Sequence, residues 1–583
     1  MHWAYYHAEK LRKGGRKPVI CAGITPSGHI HVGHLREILS AEMIHRACLE
    51  RQLHSKFIII IDSMDPLRRK YDFLGSGYEK WVGHPLAYIP PPVQEHPGAL
   101  FEPDPNWEPE HADQGGPNSS YAGYFTKEIR GILRDIGATT SYASPMSERD
   151  RDKGKWFPTL PNESTYHFLM NHEFYAHAGE KMMADGRSYE DLIDDVISKK
   201  DEIRKIINAV KDKEEDKLDE NWFPYTPRDS RGSMDDVTVT GYERPYVHWE
   251  DSQGEEGRSD IREAEGKMPW RIDWAARWIL HGVTCEPSGK DHSAAGGSFD
   301  TGIPICELLG GNPPEKLAYE WIQIKGVGPM SSSTDVSIRP TEVLKIMPAE
   351  IIRYLIARNK MNRHIDFDTG DQLLRIAEEY ERARDLPLRF DGEKLTRRQR
   401  IALETQRGAI KLSQFDYVDS PPGIKWEMEE NSGMGVSFAY LSRVAQSLDD
   451  EEDVWDQLRG SGHLEGEPSG ALVSCLEKIR EWIGGPHFPD SLRLPEVGGG
   501  GQGLSDDQKE FLVYLVGNLE RCEWTEDGII DSIKESSEAT GLEIGEAFRT
   551  MNHKLFNRES GPNVYRTLLR IGREASVAVL GNI

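Results

Sequence analysis

Cysteine is scarce in this chain. Its 583 residues hold six, Cys21, Cys48, Cys285, Cys306, Cys475 and Cys522, with no Cys-x-x-Cys pair, so neither a disulfide framework nor a thiolate zinc site is indicated. Long apolar runs are missing too, and nothing in the sequence is long and apolar enough to cross a bilayer. The N-terminal MHWAYYHAEKLRKGGRK lacks the apolar core and small-residue cleavage site of a secretory signal. The expectation is a soluble, cytoplasmic protein with no membrane partner. Positive charge is also in deficit: 71 Lys+Arg face 97 Asp+Glu, a net charge of −26. That excludes a nucleic-acid coat working by bulk positive charge, and any RNA must meet local basic patches. Solubility or salt tolerance is the plain reading of the acidity.

Enough is present for several cores. With 37% hydrophobic and 29% charged residues over this length, three to five domains are expected. The run Val19-Ile20-Cys21-Ala22 suits a buried parallel strand. A Thr25-Pro26-Ser27-Gly28 turn follows, then a helical pattern from about Ile30 to Glu50, and a second apolar run, Phe57 to Ile61, that ends at Asp62. Strand, helix, strand at this spacing predicts a βαβ unit of an α/β, doubly wound parallel sheet, with ligands beyond the carboxyl ends of its strands. Residues 71 to 117, rich in proline and aromatics, read as a stretch wandering over a surface. Ser188 to Asp191 reads as a helix cap, 237 to 250 as a small hairpin, and the chain beyond Arg339 as mostly helical with a Gly-rich linker at 498 to 501.

Two stretches carry chemistry. His31 and His34, three apart at a predicted helix start, would point to one side, where unpaired helix N–H groups attract phosphate. Gly28 and Gly33 leave room for a nucleotide. A bare H-x-x-H is more often a pair of satisfied surface histidines, but the strand-turn-helix context reverses that preference. In LAYEWIQIKGVGPMSSSTD, residues 317 to 335, an apolar run ends in a Gly-broken loop with Lys325, Met330, Ser331, Ser332 and Ser333, groups able to close over a triphosphate.

His31-Val32-Gly33-His34 resembles the HIGH signature of class I aminoacyl-tRNA synthetases, and Gly328 to Ser333 resembles their KMSKS loop. More narrowly, GITPSGHIHVGHLRE, DSMDPLRRKY, WRIDWAARWILHGVTCEPSGKDHSAAGGSFDTG and Tyr319-Glu320-Trp321 resemble class I lysyl-tRNA synthetases of the archaeal type. The resemblance implies a Rossmann-like catalytic domain with an inserted domain, then an all-α anticodon-binding region. It implies activation of lysine by ATP to lysyl-adenylate and transfer to the 3′ end of tRNA(Lys). By that resemblance His31 and His34 are catalytic; Lys325, upstream of the altered loop, is taken as catalytic in place of its missing lysines, with Lys290 the other lysine able to reach in. By the same resemblance Gly28, Gly33, Gly289, Asp291, Met330, Ser331, Ser332 and Ser333 bind ATP, while Gly23, Thr25, Trp270, His292 and Tyr319 bind lysine; Asp273, beside these tryptophans, is a further candidate carboxylate for the lysine ammonium. Trp274 and Trp278, at helical spacing beyond Trp270, read as core.

The implied domains are 1–100 and 268–338 for the two catalytic halves, 101–267 for an insertion with a zinc-less hairpin module, 339–390 for a connecting helical segment, and 391–583 for a helical anticodon-binding region breaking near 484–504. Departures from the family are specific. Pro329 stands where the loop's leading lysine belongs, and Ser332-Ser333-Thr334 replaces the trailing one. Residues 225 to 268 hold no cysteine, so no structural zinc is expected and no metal ligand is assigned; Mg²⁺ would arrive on ATP. Arg353, Arg358, Lys360 and Arg363 form one candidate tRNA patch, Lys394, Arg397, Arg398 and Arg400 another. The sequence leaves the oligomeric state open, with a monomer favoured. Rival readings are a tRNA-binding paralogue impaired by the altered loop, a synthetase of the glutamyl or arginyl type, and a small adenylyltransferase.

Overall fold

The computed structural model describes residues 1–109, 119–138, 166–183, 185–211, 213–330, 337–389, 395–414, 436–448, 450–494, 498, 500–559 and 564–582. The chain divides into two compact units, Met1–Met428 and Glu429–Ile583. The first is built on a parallel sheet. Its leading strand β1 (Val19–Ile24) is followed by helix α1 (Leu35–Glu50), strand β2 (Lys56–Ile61) and strand β3 (Tyr166–Met170). Helix α2 (Trp270–His281), strand β4 (Cys285–Gly289), the short helix α3 (Lys290–Ser293) and strand β5 (Glu315–Tyr319) complete it. The order across the sheet is β5-β4-β1-β2-β3 with every pairing parallel.

The apolar runs explain the centre. Residues Val19 to Ala22 and Phe57 to Ile61 are buried, as strands covered on both faces must be. The register sets Gly23 beside Ile60 and Gly289 beside Tyr319, so those strand ends lie together on one edge. One sheet strand, β3, comes from within the stretch 101–267 that reads as an insertion.

The proline-rich stretch after Tyr71 does not wander over a surface. Leu74, Tyr78, Leu86 and Ile89 are fully buried and pack with Tyr121 and Phe125 in a core of their own. Proline carries no N–H, so folding such a chain inward leaves fewer donors to satisfy. The predicted hairpin is present as Val237–Glu243 against Tyr246–Asp251, with Glu256–Asp260 as a third strand. Arg231 spans Asp229 at 2.6 Å and Asp251 at 3.0 Å beneath it. Among the described residues no group of three His, Cys, Asp or Glu side chains is placed to hold a metal ion.

After β5 come β6 (Ile322–Ile324) and β7 (Gly328–Pro329), which with β8 (Ile365–Phe367) form a small sheet in the order β7-β6-β8. Helix α4 (Ala349–Ala357) lies between them in sequence, and α5 (Arg397–Ser413) follows. One of the two basic clusters is divided: Lys360 and Arg363 are exposed, but its other two members are held by acids. Arg353 is fully buried, donating to Glu42 at 2.7 Å and to the Leu412 carbonyl at 2.8 Å, and Arg358 pairs with Glu379. Arg397, Arg398 and Arg400 are exposed on α5, and Lys394 lies outside the described residues.

The second unit is helical throughout its described elements, from Phe438–Ala445 to Val564–Gly581. Phe511, Leu515, Ile529, Met551 and Leu555 form one core there. Ser505 caps its helix by accepting the Gln508 N–H at 3.2 Å.

Candidate active site

The turn after β1 is not the first turn of an α-helix. Residues Val32–His34 form a single 3₁₀ turn and α1 begins at Leu35. The consequence is steric: three residues per turn eclipse side chains at i and i+3, and the His31 and His34 rings lie 3.9 Å apart. A Cβ at Gly33 would stand 2.7 Å from the His31 ring, so glycine is required for this stacking. Gly28 serves a different neighbour, since a Cβ there would meet Phe73 at 2.8 Å.

The His31 N–H donates to His34 Nδ1 at 3.1 Å, which leaves the His34 proton on Nε2. Burial lowers His31 to about 3, helped by His34, and burial lowers His34 to about 4. Both rings are therefore neutral at pH 7, and they offer hydrogen bonds rather than charge.

A cavity of about 280 Å³ opens at the carboxyl ends of β1 and β5. His31, Gly33, His34 and Glu37 form one wall, with Gly23 and Ile24 below. Asp291, Tyr319, Trp321 and Ile322 also line it, Tyr319 directly against Glu37, and Pro329 and Met330 bring the start of the second motif to the same space. Segments nearly three hundred residues apart in sequence therefore share one cavity. Ser331, Ser332 and Ser333 lie outside the described residues.

Glu37 was not picked out from the sequence. It sits in the first turn of α1 and its carboxylate reaches back, accepting the Gly23 N–H at 3.0 Å and the Tyr319 hydroxyl at 2.6 Å. Burial raises its carboxyl to about 7 against those two hydrogen bonds, and Glu286 and Asp62 raise it further. No cation faces it among those neighbours. Beneath it lie four more buried carboxylates, Asp62, Asp65, Asp273 and Glu286, against two buried cations, Lys267 and Arg277. Arg277 pairs with Asp62 at 2.5 Å and Asp273 at 3.3 Å, Lys267 with Asp65 at 2.5 Å. The core beside the cavity thus holds more acids than cations, and burial raises the Glu37, Asp62 and Glu286 carboxyls.

The remaining predicted residues fall elsewhere. Thr25 donates to Asp65 at 2.9 Å rather than lining the cavity. Asp273 is not free to meet a ligand cation: it is fully buried and takes the Tyr175 and Tyr189 hydroxyls at 2.5 and 2.7 Å besides Arg277. Trp270 stacks on Trp274 at 5.1 Å, near His292 at 5.9 Å, and Arg277 already lies 5.2 Å from its ring. Neither Trp270 nor His292 lines the cavity. A Cβ at Gly289 would stand 3.6 Å from the Tyr319 hydroxyl, placing this glycine beside the wall. Lys325 is half-exposed and 3.5 Å from Asp368, away from the cavity. Trp274 and Trp278 are buried core, as their spacing predicts.

The buried histidines set a pH limit on this unit. Burial holds His2, His34 and His167 at about 4 and His31, His45 and His281 at about 3. Below pH 6.5 the unfolded chain takes up protons that these six folded rings refuse, so stability falls as pH falls. Glu37, Asp62 and Glu286, all raised by burial, act in the opposite sense but are fewer. Thermal unfolding of the full chain is expected to begin clearly lower at pH 5 than at pH 7.5. An unchanged melting temperature would show that the rings are not held neutral.

The sequence model described as tRNA synthetases class I (K) matches residues 1–98 and 162–409. The lysine–tRNA ligase of Picrophilus torridus is 29% identical over 582 residues, covering 98% of this chain and 97% of its own. That of Archaeoglobus fulgidus is 29% identical with 98% of each chain covered. Lysine–tRNA ligase 1 of Methanosarcina acetivorans is 35% identical over 389 residues, 66% of this chain and 62% of its own. With its histidine turn and the start of its second motif lining one cavity, and more than half its length matched by the family's model, this chain belongs to the class I (K) tRNA synthetases.

Proposed function

We infer that the protein activates lysine with ATP to lysyl-adenylate and transfers the lysyl group to the 3′ end of tRNA(Lys). A lysine carboxylate oxygen attacks the α-phosphorus of ATP in line, and pyrophosphate leaves. Most of the catalysis is then positioning and charge stabilisation. His31 and His34 serve the phosphates as neutral donors, and Asp291, lining the same cavity, accepts from ribose hydroxyls. Mg²⁺ comes with the ATP phosphates and needs no protein cage.

The observation that carries the choice of lysine is the match to lysine–tRNA ligases over nearly the whole chain, and Glu37, a cavity carboxylate hydrogen-bonded to Gly23 and Tyr319, suits a cationic substrate. A ligand ammonium supplies the missing charge, whereas a ligand carboxylate side chain would add to the excess. Pyrophosphate exchange with ATP, lysine and tRNA(Lys) present is expected to show lysine-dependent turnover. Silence with all three, or equal turnover with glutamate or arginine, would refute it. The loop Pro329 to Thr334, which carries no Lys or Arg, favours one other reading: a paralogue that binds tRNA and forms no adenylate. Tight tRNA binding without exchange would establish that reading instead.

A further inference from the structure

We propose that Lys290 is the residue that supplies positive charge to the ATP phosphates during adenylate formation. The proposal rests on the lysine-activating reading above and adds a catalytic group to it. In the reaction a Pα–O bond forms to the lysine carboxylate and the Pα–O bond to the β-phosphate breaks. Pyrophosphate departs with the bonding electron pair, and no proton needs to move. Negative charge therefore builds on the leaving group, and a nearby cation stabilises it.

The second motif cannot provide that cation, because Pro329-Met330-Ser331-Ser332-Ser333-Thr334 contains no Lys or Arg. Among the described residues the cavity lining holds no Lys or Arg either: its acids are Glu37 and Asp291, and burial keeps the two imidazoles neutral. Lys325, just before the motif, is 3.5 Å from Asp368 and outside the cavity.

Lys290 is differently placed. It opens α3 immediately before the cavity residue Asp291, and its ammonium lies 4.3 Å from the centroid of Trp321, another cavity wall. It is parked there on Glu320 at 2.8 Å, in a pair with 44% and 31% of the two side chains exposed. A solvent-exposed pair of this kind gives up its partner at little cost, and the lysine stem is long and flexible. Triphosphate entering the cavity presents a stronger anion than the single Glu320 carboxylate, and the ammonium transfers to it along the Trp321 face.

The test uses the full-length chain in pyrophosphate exchange with ATP, lysine and tRNA(Lys), comparing wild type with Lys290→Met, Lys290→Arg and Glu320→Gln. Lys290→Met is expected to lower kcat by about 10²- to 10³-fold, the usual effect of deleting one donor to a developing anion, with the KM for lysine within about threefold. Lys290→Arg keeps the charge and is expected to recover most of the loss. Glu320→Gln removes only the parking partner and is expected to stay within about threefold of wild type, which a purely structural Lys290–Glu320 pair would not allow. Wild-type kcat in Lys290→Met, or an equal loss in Glu320→Gln, would overturn the proposal while leaving lysine activation standing. Silence of the wild type would overturn lysine activation itself, and this proposal with it.

Discussion

A Glu37→Gln variant is expected to lose two to three orders of magnitude in kcat/KM for lysine while remaining folded. The carboxylate is the one acid of the cavity wall in contact with both β1 and β5, through the Gly23 N–H at 3.0 Å and the Tyr319 hydroxyl at 2.6 Å. Glutamine has nearly the same shape. Its oxygen still accepts from Gly23, and the Tyr319 hydroxyl rotates to accept from the amide. What disappears is the charge. Losing one member of a desolvated charge pair costs about 2 to 5 kcal/mol of binding, and each 1.4 kcal/mol is tenfold. The loss is expected in the KM for lysine, with the KM for ATP little changed.

The free enzyme should gain rather than lose stability at pH 7, because a neutral amide at this depth avoids the burial that raises the Glu37 carboxyl to about 7. Falling activity with an unchanged or higher melting temperature separates this result from misfolding. The wild type offers a second readout of the same carboxyl. Lysine binds the ionised form, so its KM should fall as pH rises from 6 to 8, and that slope should vanish in Glu37→Gln. A lysine KM within threefold of wild type would remove Glu37 from the lysine site.

Why Glu37 escapes a sequence reading is physical. In GHLREI an acid in the first turn of a helix reads as a solvent-facing partner of the helix dipole. Nothing local says that this face turns inward, because the contact that turns it, Tyr319, is 282 positions away. Asp273 errs in the other direction. It reads as the carboxylate a lysine ammonium would seek near Trp270, yet Arg277 four residues on is an ordinary helical pair, and Asp62, just past β2, completes it.

The βαβ core is legible because both strands are unbroken apolar runs and the helix between them is periodic. The histidine pair is legible as a pair but not as a stacked one. Stacking depends on whether the turn is 3₁₀ or α, a difference decided by packing rather than by composition. Burial of Arg353 is equally invisible, since a basic residue on a helix reads as solvated until Glu42 is brought beneath it.

An Arg277→Met variant is expected to lose about 3 to 5 kcal/mol of stability, far more than an exposed arginine would. Arg277 is 2% exposed and stands between Asp62 at 2.5 Å and Asp273 at 3.3 Å. Methionine fills much of the same volume, so the cost is not a cavity. It is the two carboxylates left without their cation, beside Glu286 and Glu37, with only Lys267 remaining nearby and already engaged by Asp65.

The molecule has one escape, protonation. Burial already raises the Asp62 carboxyl while Arg277 opposes it, and without Arg277 it rises further. A carboxyl with a raised folded pKa gives stability below its unfolded value and loses it as pH climbs through the folded one. Urea unfolding followed by tryptophan fluorescence, which Trp274 and Trp278 report from this core, should therefore show a larger deficit at pH 8 than at pH 5.5. Adding Asp62→Asn removes one orphaned charge and should recover part of the loss at pH 8. A deficit that is the same at both pH values and indifferent to Asp62→Asn would mean that Arg277 acts by packing alone, and the charge imbalance under the cavity would no longer explain its appetite for an ammonium.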